Sequence, residues 1–170
     1  LEVLNSCQKF SGLKHKVLSG KPLYERVATL LSEGNIIGWV QGRAEFGPRS
    51  LGNRSILADP RSVKMKDALN SRVKFREEFR PFAPSILHEH GNEYFENYQV
   101  SPYMERTLKF KESVWDKVPA VVHEDRTGRA QSVTREANEK FYDLISAFND
   151  ITGVPILINT SFNVMGKPII

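Results

Sequence analysis

Arg43, Arg49 and Arg54 fall in one stretch, GRAEFGPRSLGNRSIL at residues 42–57, together with Gly42, Gly47, Pro48 and Gly52. A solvated loop does not need the apolar flanks of this stretch, and a core strand does not tolerate three guanidinium groups. Arginine recognises phosphate or carboxylate through a planar, two-pronged donor set, so an anionic ligand is the natural partner. Between Arg43 and Arg80 stand seven arginines (43, 49, 54, 61, 72, 76, 80) and three lysines (64, 66, 74). Against these ten bases are five acids, Glu45, Asp59, Asp67, Glu77 and Glu78, so this segment holds the whole excess of a chain whose net charge is +4. Any one of these arginines would serve on a solvated face; the cluster asks for a ligand.

Three further stretches carry chemistry. In KFREEFRPF (74–82), Lys74, Arg76 and Arg80 alternate with Phe75, Phe79 and Phe82, so cations could hold phosphate oxygens while aromatics exclude water. The same pattern would arise from core phenylalanines interleaved with surface charge. In LINTSFN (157–163), buried aliphatics deliver Asn159, Thr160, Ser161 and Asn163 to a strand end. Ser161 and Asn163, one residue apart, would point the same way on an extended chain and grasp one ligand group, or else serve a capping turn. In HEDRTGRAQSV (123–133), His123 is either a general base or a structural hydrogen-bonding residue, and Arg129 is a charge at the start of a strand. His88 and His90 of HEHG would share one face of a strand, but no third ligand follows at a metal-binding spacing. The sequence contains no Walker P-loop, dinucleotide fingerprint or G-x-S-x-G elbow.

The elements that must position these residues read as α/β. KPLYERVATLLSEGN (21–35) and NEKFYDLISAFNDITG (138–153) are amphipathic helices, the second capped by Asn138 and ended by Gly153. The spacing at 60–73 predicts another helix, and NEYFENY a short amphipathic segment. IIGWVQG, the residues after Pro84, and VPILINTSFN read as strands; VPAVVHED (118–125) and RAQSVT (129–134) read as a hairpin across RTG. A chain of 170 residues is one ordinary domain. The single Cys7 excludes an intramolecular disulfide and suits a reducing, cytoplasmic setting, and no apolar run approaches the ~20 residues of a membrane span. The start at Leu1 and the apolar finish at Ile170 suggest a fragment, with residues 1–20 an arm from a missing amino-terminal domain and 21–170 a domain truncated at its C-terminus.

Taken together, GRAEFGPRSLGNRSILADPR, VKFREEFRPFAPSIL, SPYM, PAVVHEDRTGRAQSV and TGVPILINTSFNVMGKPI resemble the carboxy-terminal domain of NodU/CmcH-type O-carbamoyltransferases, from about Ile36 to Ile170 and in the same order. Ala44, Ser50 and Glu78 depart from the family pattern and leave the charged positions intact. The resemblance implies a YrdC-like α/β fold, a twisted open mixed sheet with flanking helices around a positive cavity. It implies binding of carbamoyl phosphate and ATP, with Mg²⁺ accompanying the ATP, and formation of a carbamoyl adenylate with release of pyrophosphate. An actin-like, metal-dependent amino-terminal domain of the same polypeptide would pass the carbamoyl group to an acceptor hydroxyl. The residues carried over are Lys74 and Arg80 in the chemistry and Arg49, Arg54, Arg129, Ser161 and Asn163 in ligand binding. Arg43 and Arg76 rank behind them, and no metal ligand is assigned.

Two other functions compete with this one. A YrdC-like module could bind RNA or serve tRNA modification through threonylcarbamoyl-adenylate chemistry, but the bases are interleaved with acids and no exposed aromatic stacking series accompanies them. A catalytically silent scaffold docked on its partner domain is the other; the seven retained positions argue against decay. No membrane partner is expected, and an oligomer is left open.

Overall fold

The computed structural model describes residues 14–164 and 167–170, and its centre is a six-stranded sheet. The strands are β1 (Ile37–Val40), β2 (Arg54–Ala58), β3 (Ala83–Leu87), β4 (Arg106–Lys109), β5 (Thr127–Val133) and β6 (Ile156–Ser161), in the order β1-β2-β6-β3-β5-β4. Neighbours run antiparallel except β3 and β5, which are parallel. The helices are α1 (Lys21–Ser32), α2 (Val63–Leu69), the single turn α3 (Gly91–Tyr94) and α4 (Glu139–Thr152). This is the α/β architecture of an open mixed sheet with flanking helices that a YrdC-like domain requires.

The sequence pattern explains the packing. Val27, Ala28 and Leu31 of α1 and Phe141, Leu144, Ile145 and Phe148 of α4 recur at helical spacing and are buried. The two helices pack on each other, and α4 also meets β3 and β6. At the N-terminus of α4 the Asn138 side chain accepts from the Phe141 N–H at 3.2 Å, and Gly153 closes the helix at φ 70°. β6 lies inside the sheet, so Ile156, Leu157, Ile158 and Asn159 are all buried instead of alternating.

Several expectations are corrected. Residues 118–125 form successive turns, because β5 finds its antiparallel partner in β4, a strand the sequence reading missed. The helix expected over 60–73 is regular only over Val63–Leu69 and then widens into a π-helical turn, Asn70–Lys74. His88–His90 is a 3₁₀ turn and not a strand: His88 Nδ1 lies 3.0 Å from the Tyr98 hydroxyl, and His90 Nδ1 3.0 Å from Glu93 Oε1. Of the expected arm, residues 1–13, Cys7 included, lie outside the described residues, and 14–19 run without regular structure into α1. No helix among the described residues is long and apolar enough to cross a membrane.

Because β6 is antiparallel to β2 and β3, and β3 is parallel to β5, the end of β6 lies beside the beginnings of β2, β3 and β5. The candidate residues converge there.

Candidate functional site

The arginine-rich stretch is the connection from β1 to β2, and its own carboxylate shapes it. Glu45 Oε1 accepts from the N–H groups of Leu51 (2.7 Å), Asn53 (2.7 Å) and Arg54 (3.2 Å), folding the loop back on itself. Gly52, at φ 104°, passes so close to Phe141 that a Cβ would lie 2.3 Å from the ring. Beneath the loop is a buried polar network. Asn159 Nδ2 donates to Ser50 O (3.1 Å), Ser85 Oγ (3.0 Å) and Gln131 Oε1 (3.0 Å), while Ser50 Oγ donates to Asn159 Oδ1 (3.2 Å) and Gln131 Nε2 to Leu51 O (3.0 Å). Asn159 of β6 and Gln131 of β5, braced by Ser85 of β3, thus fix the carbonyls of Ser50 and Leu51 beside Arg49.

The second loop, 75–81, is held by Asn70 in the π-helical turn. Its Nδ2 donates to the carbonyls of Glu78 (3.2 Å) and Arg80 (3.1 Å), and its Oδ1 accepts from Arg76 Nε at 2.8 Å. Arg76 then lies over the Phe82 ring, 4.7 Å from its centroid. Of the three phenylalanines expected to exclude water, only Phe82 is buried; Phe75 and Phe79 point outward at 62% and 74% exposure. Arg80 remains on the surface, its Nε 2.8 Å from Glu77 Oε2.

These loops and β5 enclose two adjoining chambers. The first, about 140 Å³, is lined by Arg49, Arg76, Arg129, Asn159, Thr160 and Ser161 among others and contains no carboxylate. The second, about 430 Å³, shares Arg76, Phe82 and Arg129 with it and adds Arg80, Thr107, His123, Asp125 and Thr127. Burial and neighbouring cations push the bases here toward their neutral forms: burial and then Arg49 lower the Arg129 pKa, and burial and then Arg80 lower that of Arg76. Cations gathered this way with few counter-charges are poised for an anion.

Lys74 lies behind the first chamber. Its side chain is buried, and its ammonium donates to the Ser161 carbonyl, Ser161 Oγ (3.2 Å), Asn163 O (3.0 Å) and Asn163 Oδ1 (2.9 Å). Ser161 Oγ in turn donates to Asn163 Oδ1 at 2.6 Å. Burial, and after it Arg76, lowers the amine to about 8.

The expected residues therefore divide into groups. Arg49, Arg129 and Ser161 line the first chamber, and Arg80 the second. Lys74 and Asn163 fasten Ser161 from behind. Arg54 faces its own loop, its guanidinium donating to the carbonyls of Gln41 (3.0 Å), Asn53 (2.9 Å) and Gly42 (3.3 Å). Arg76, ranked second in the sequence reading, lines both chambers. Gln131 and Ser85 were not foreseen; the alternation in RAQSV, which turns Gln131 to the same side as Arg129, was the available signal. No group of three His, Cys, Asp or Glu side chains among the described residues could hold a metal. With a donor set of arginines, amides and hydroxyls, the first chamber does not fit a protein-held Mg²⁺; such an ion would be held by the triphosphate it accompanies.

A cation-lined cavity on an open mixed sheet is what this geometry defines, and the comparisons give the family. Residues 28–170 match the model described as carbamoyltransferase C-terminus, and the chain belongs to that family. It is 51% identical over 148 residues to the nodulation protein NolNO of Sinorhizobium fredii, covering 85% of this chain and 22% of that protein. It is 48% identical over 146 residues to the nodulation protein NolO of Bradyrhizobium diazoefficiens, covering 84% and 27%. The chain thus spans about a quarter of these relatives. Full-length HypF, solved in a phosphate- and nucleotide-bound form, shares the fold at a TM-score of 0.56 and 20% identity, over 86% of this chain and 21% of that one.

Proposed function

We propose that this domain binds carbamoyl phosphate and ATP in the two-chambered cavity and joins them as carbamoyl adenylate, which an amino-terminal, actin-like domain of the longer protein transfers to an acceptor hydroxyl. The observation that carries this reading is the convergence of Arg49, Arg76 and Arg129 on a carboxylate-free chamber. Family membership supplies the carbamoyl chemistry, and HypF, of the same fold, was solved with phosphate and nucleotide, the two ligand classes the reading requires.

In this scheme water cleaves carbamoyl phosphate to carbamate and phosphate. A carbamate oxygen then attacks the α-phosphorus of ATP; the bond from that phosphorus to the bridging oxygen breaks, and pyrophosphate leaves. Several negative charges must come together for this step. Guanidinium groups fixed in advance offset their repulsion without forming a covalent bond. Ser161 at the rim of the first chamber donates its proton to Asn163 and accepts from Lys74, which leaves one lone pair of its hydroxyl to accept from a ligand donor.

Calorimetric titration of the 170-residue chain with inorganic phosphate, carbamoyl phosphate and a non-hydrolysable ATP analogue tests the reading. All three should bind, and Arg129→Ala should weaken them at least about tenfold while the melting temperature is kept, since a charged hydrogen bond and a repelling neighbour are lost together. Equal affinity in wild type and Arg129→Ala would move the anion site elsewhere.

A further inference from the structure

Two shielded polar atoms in the cavity have no hydrogen-bond partner among the described residues: Arg129 Nε and His123 Nε2. Buried polar groups are nearly always paired, so two exceptions lining one chamber require an explanation. Arg129 Nε is a donor. The imidazole is kept neutral at pH 7, because burial, Arg129 and Lys66 disfavour its charge more than Asp125 and the Phe82 carbonyl favour it. A neutral imidazole carries one lone-pair acceptor.

Shielded side-chain acceptors are scarce in this chamber. Arg76, Arg80 and Arg129 only donate; Asp125 is exposed, and its Oδ1 already accepts from the Thr127 N–H (3.0 Å) and hydroxyl (2.7 Å). The carbonyl and phosphate oxygens of any acyl phosphate would be served by these arginines alike. A carbamoyl group differs from an acetyl group by an NH₂, which must donate. Resting on the function proposed above, we propose that His123 is the specificity residue: its imidazole accepts from the carbamoyl NH₂ while Arg129 Nε donates to the carbonyl, so that carbamoyl phosphate is selected over acetyl phosphate and other acyl phosphates.

Phosphonoacetamide and acetonylphosphonate are stable probes that differ only in NH₂ against CH₃. Titrated into the 170-residue chain, phosphonoacetamide should bind about tenfold more tightly, the effect of one hydrogen bond in a shielded site. His123→Phe should bring the ratio to about one while acetonylphosphonate affinity is kept, and His123→Asn, whose amide oxygen is an acceptor, should recover part of it. Thermal melts of the variants establish that they fold, and His123→Ala, which also lacks an acceptor, carries the comparison if the phenyl ring does not fit. A ratio retained in a folded His123 variant that lacks an acceptor, or equal binding of the two probes by wild type, overturns the assignment. Failure of wild type to bind either phosphonate would instead overturn the anion site itself.

Discussion

Lys74→Met separates the two forces acting on the most enclosed cation. The amine ionises at about 8 in the folded chain against 10.5 when free, so its charged form is held at a cost of about 3 kcal/mol at pH 7 despite the four oxygens around it. A lysine whose folded pKa is depressed weakens the native state fully below pH 8, and the penalty fades as pH climbs from 8 toward 10.5. Methionine removes both the penalty and the hydrogen bonds to Ser161 and Asn163, each worth ~1.5–3 kcal/mol in its charged form. Together the hydrogen bonds outweigh the penalty, so Lys74→Met should be less stable than wild type at pH 7 by a few kcal/mol. Between pH 7 and 9.5 the wild type should then gain about 2 kcal/mol on the variant, since only it loses the proton. Urea unfolding of both proteins at several pH values measures this difference. Parallel stability curves across that range would mean the ammonium is not strained, and would refute the view of Lys74 as a cation buried at a cost to fasten Ser161.

Two other substitutions probe how the arginine loop is held. Gly52→Ala places a Cβ 2.3 Å from the buried Phe141 ring at φ 104°, and overpacking plus backbone strain of ~3 kcal/mol should lower the melting temperature by roughly 10 °C; an unchanged melt would mean loop and helix are not in contact. Glu45→Ala leaves three loop N–H groups without their acceptor, so amide exchange at Leu51 and Asn53 should quicken and phosphate affinity fall, with the global melt barely moved. Unaltered exchange at both amides would show the loop to be fixed by other contacts.

What the sequence made legible follows from how local each signal is. The helical stripes of α1 and α4, the caps of α4 and the apolar run of β6 are signals carried by adjacent residues, and each forms as expected. The expected hairpin failed because strand partners are a tertiary matter: VPAVVHED and the residues of β4 are both short and mixed, and only closure of the sheet selects β4. Among the candidate residues, charge and proximity in sequence identified the cluster but could not tell inward from outward. Arg54 and Arg76 look alike as isolated arginines. One begins β2 beside free loop carbonyls and turns to them; the other is drawn across Phe82 by Asn70 and enters both chambers. Phe75 and Phe79 escaped the core for the same reason, since the π-helical turn ends with Phe75 at φ 49° and swings the following residues outward.

The neutral network beneath the site follows from the charges above it. Arg49 repels Arg129, Arg80 repels Arg76, and Arg76 repels Lys74, so without a ligand these groups would separate if their backbones could move. A carboxylate lining the first chamber would relieve the repulsion but would also neutralise the field an anion needs; Glu77 pairs with Arg80 outside that chamber. The chain instead uses neutral amides, Asn159 and Gln131 beneath one loop and Asn70 beneath the other, which fix backbone and guanidinium through hydrogen bonds that leave the net charge untouched. Its carboxylate clamp, Glu45, is spent on backbone N–H groups outside the chambers. The site is therefore built so that rigidity comes from amides and charge from arginines, and the two can be altered separately.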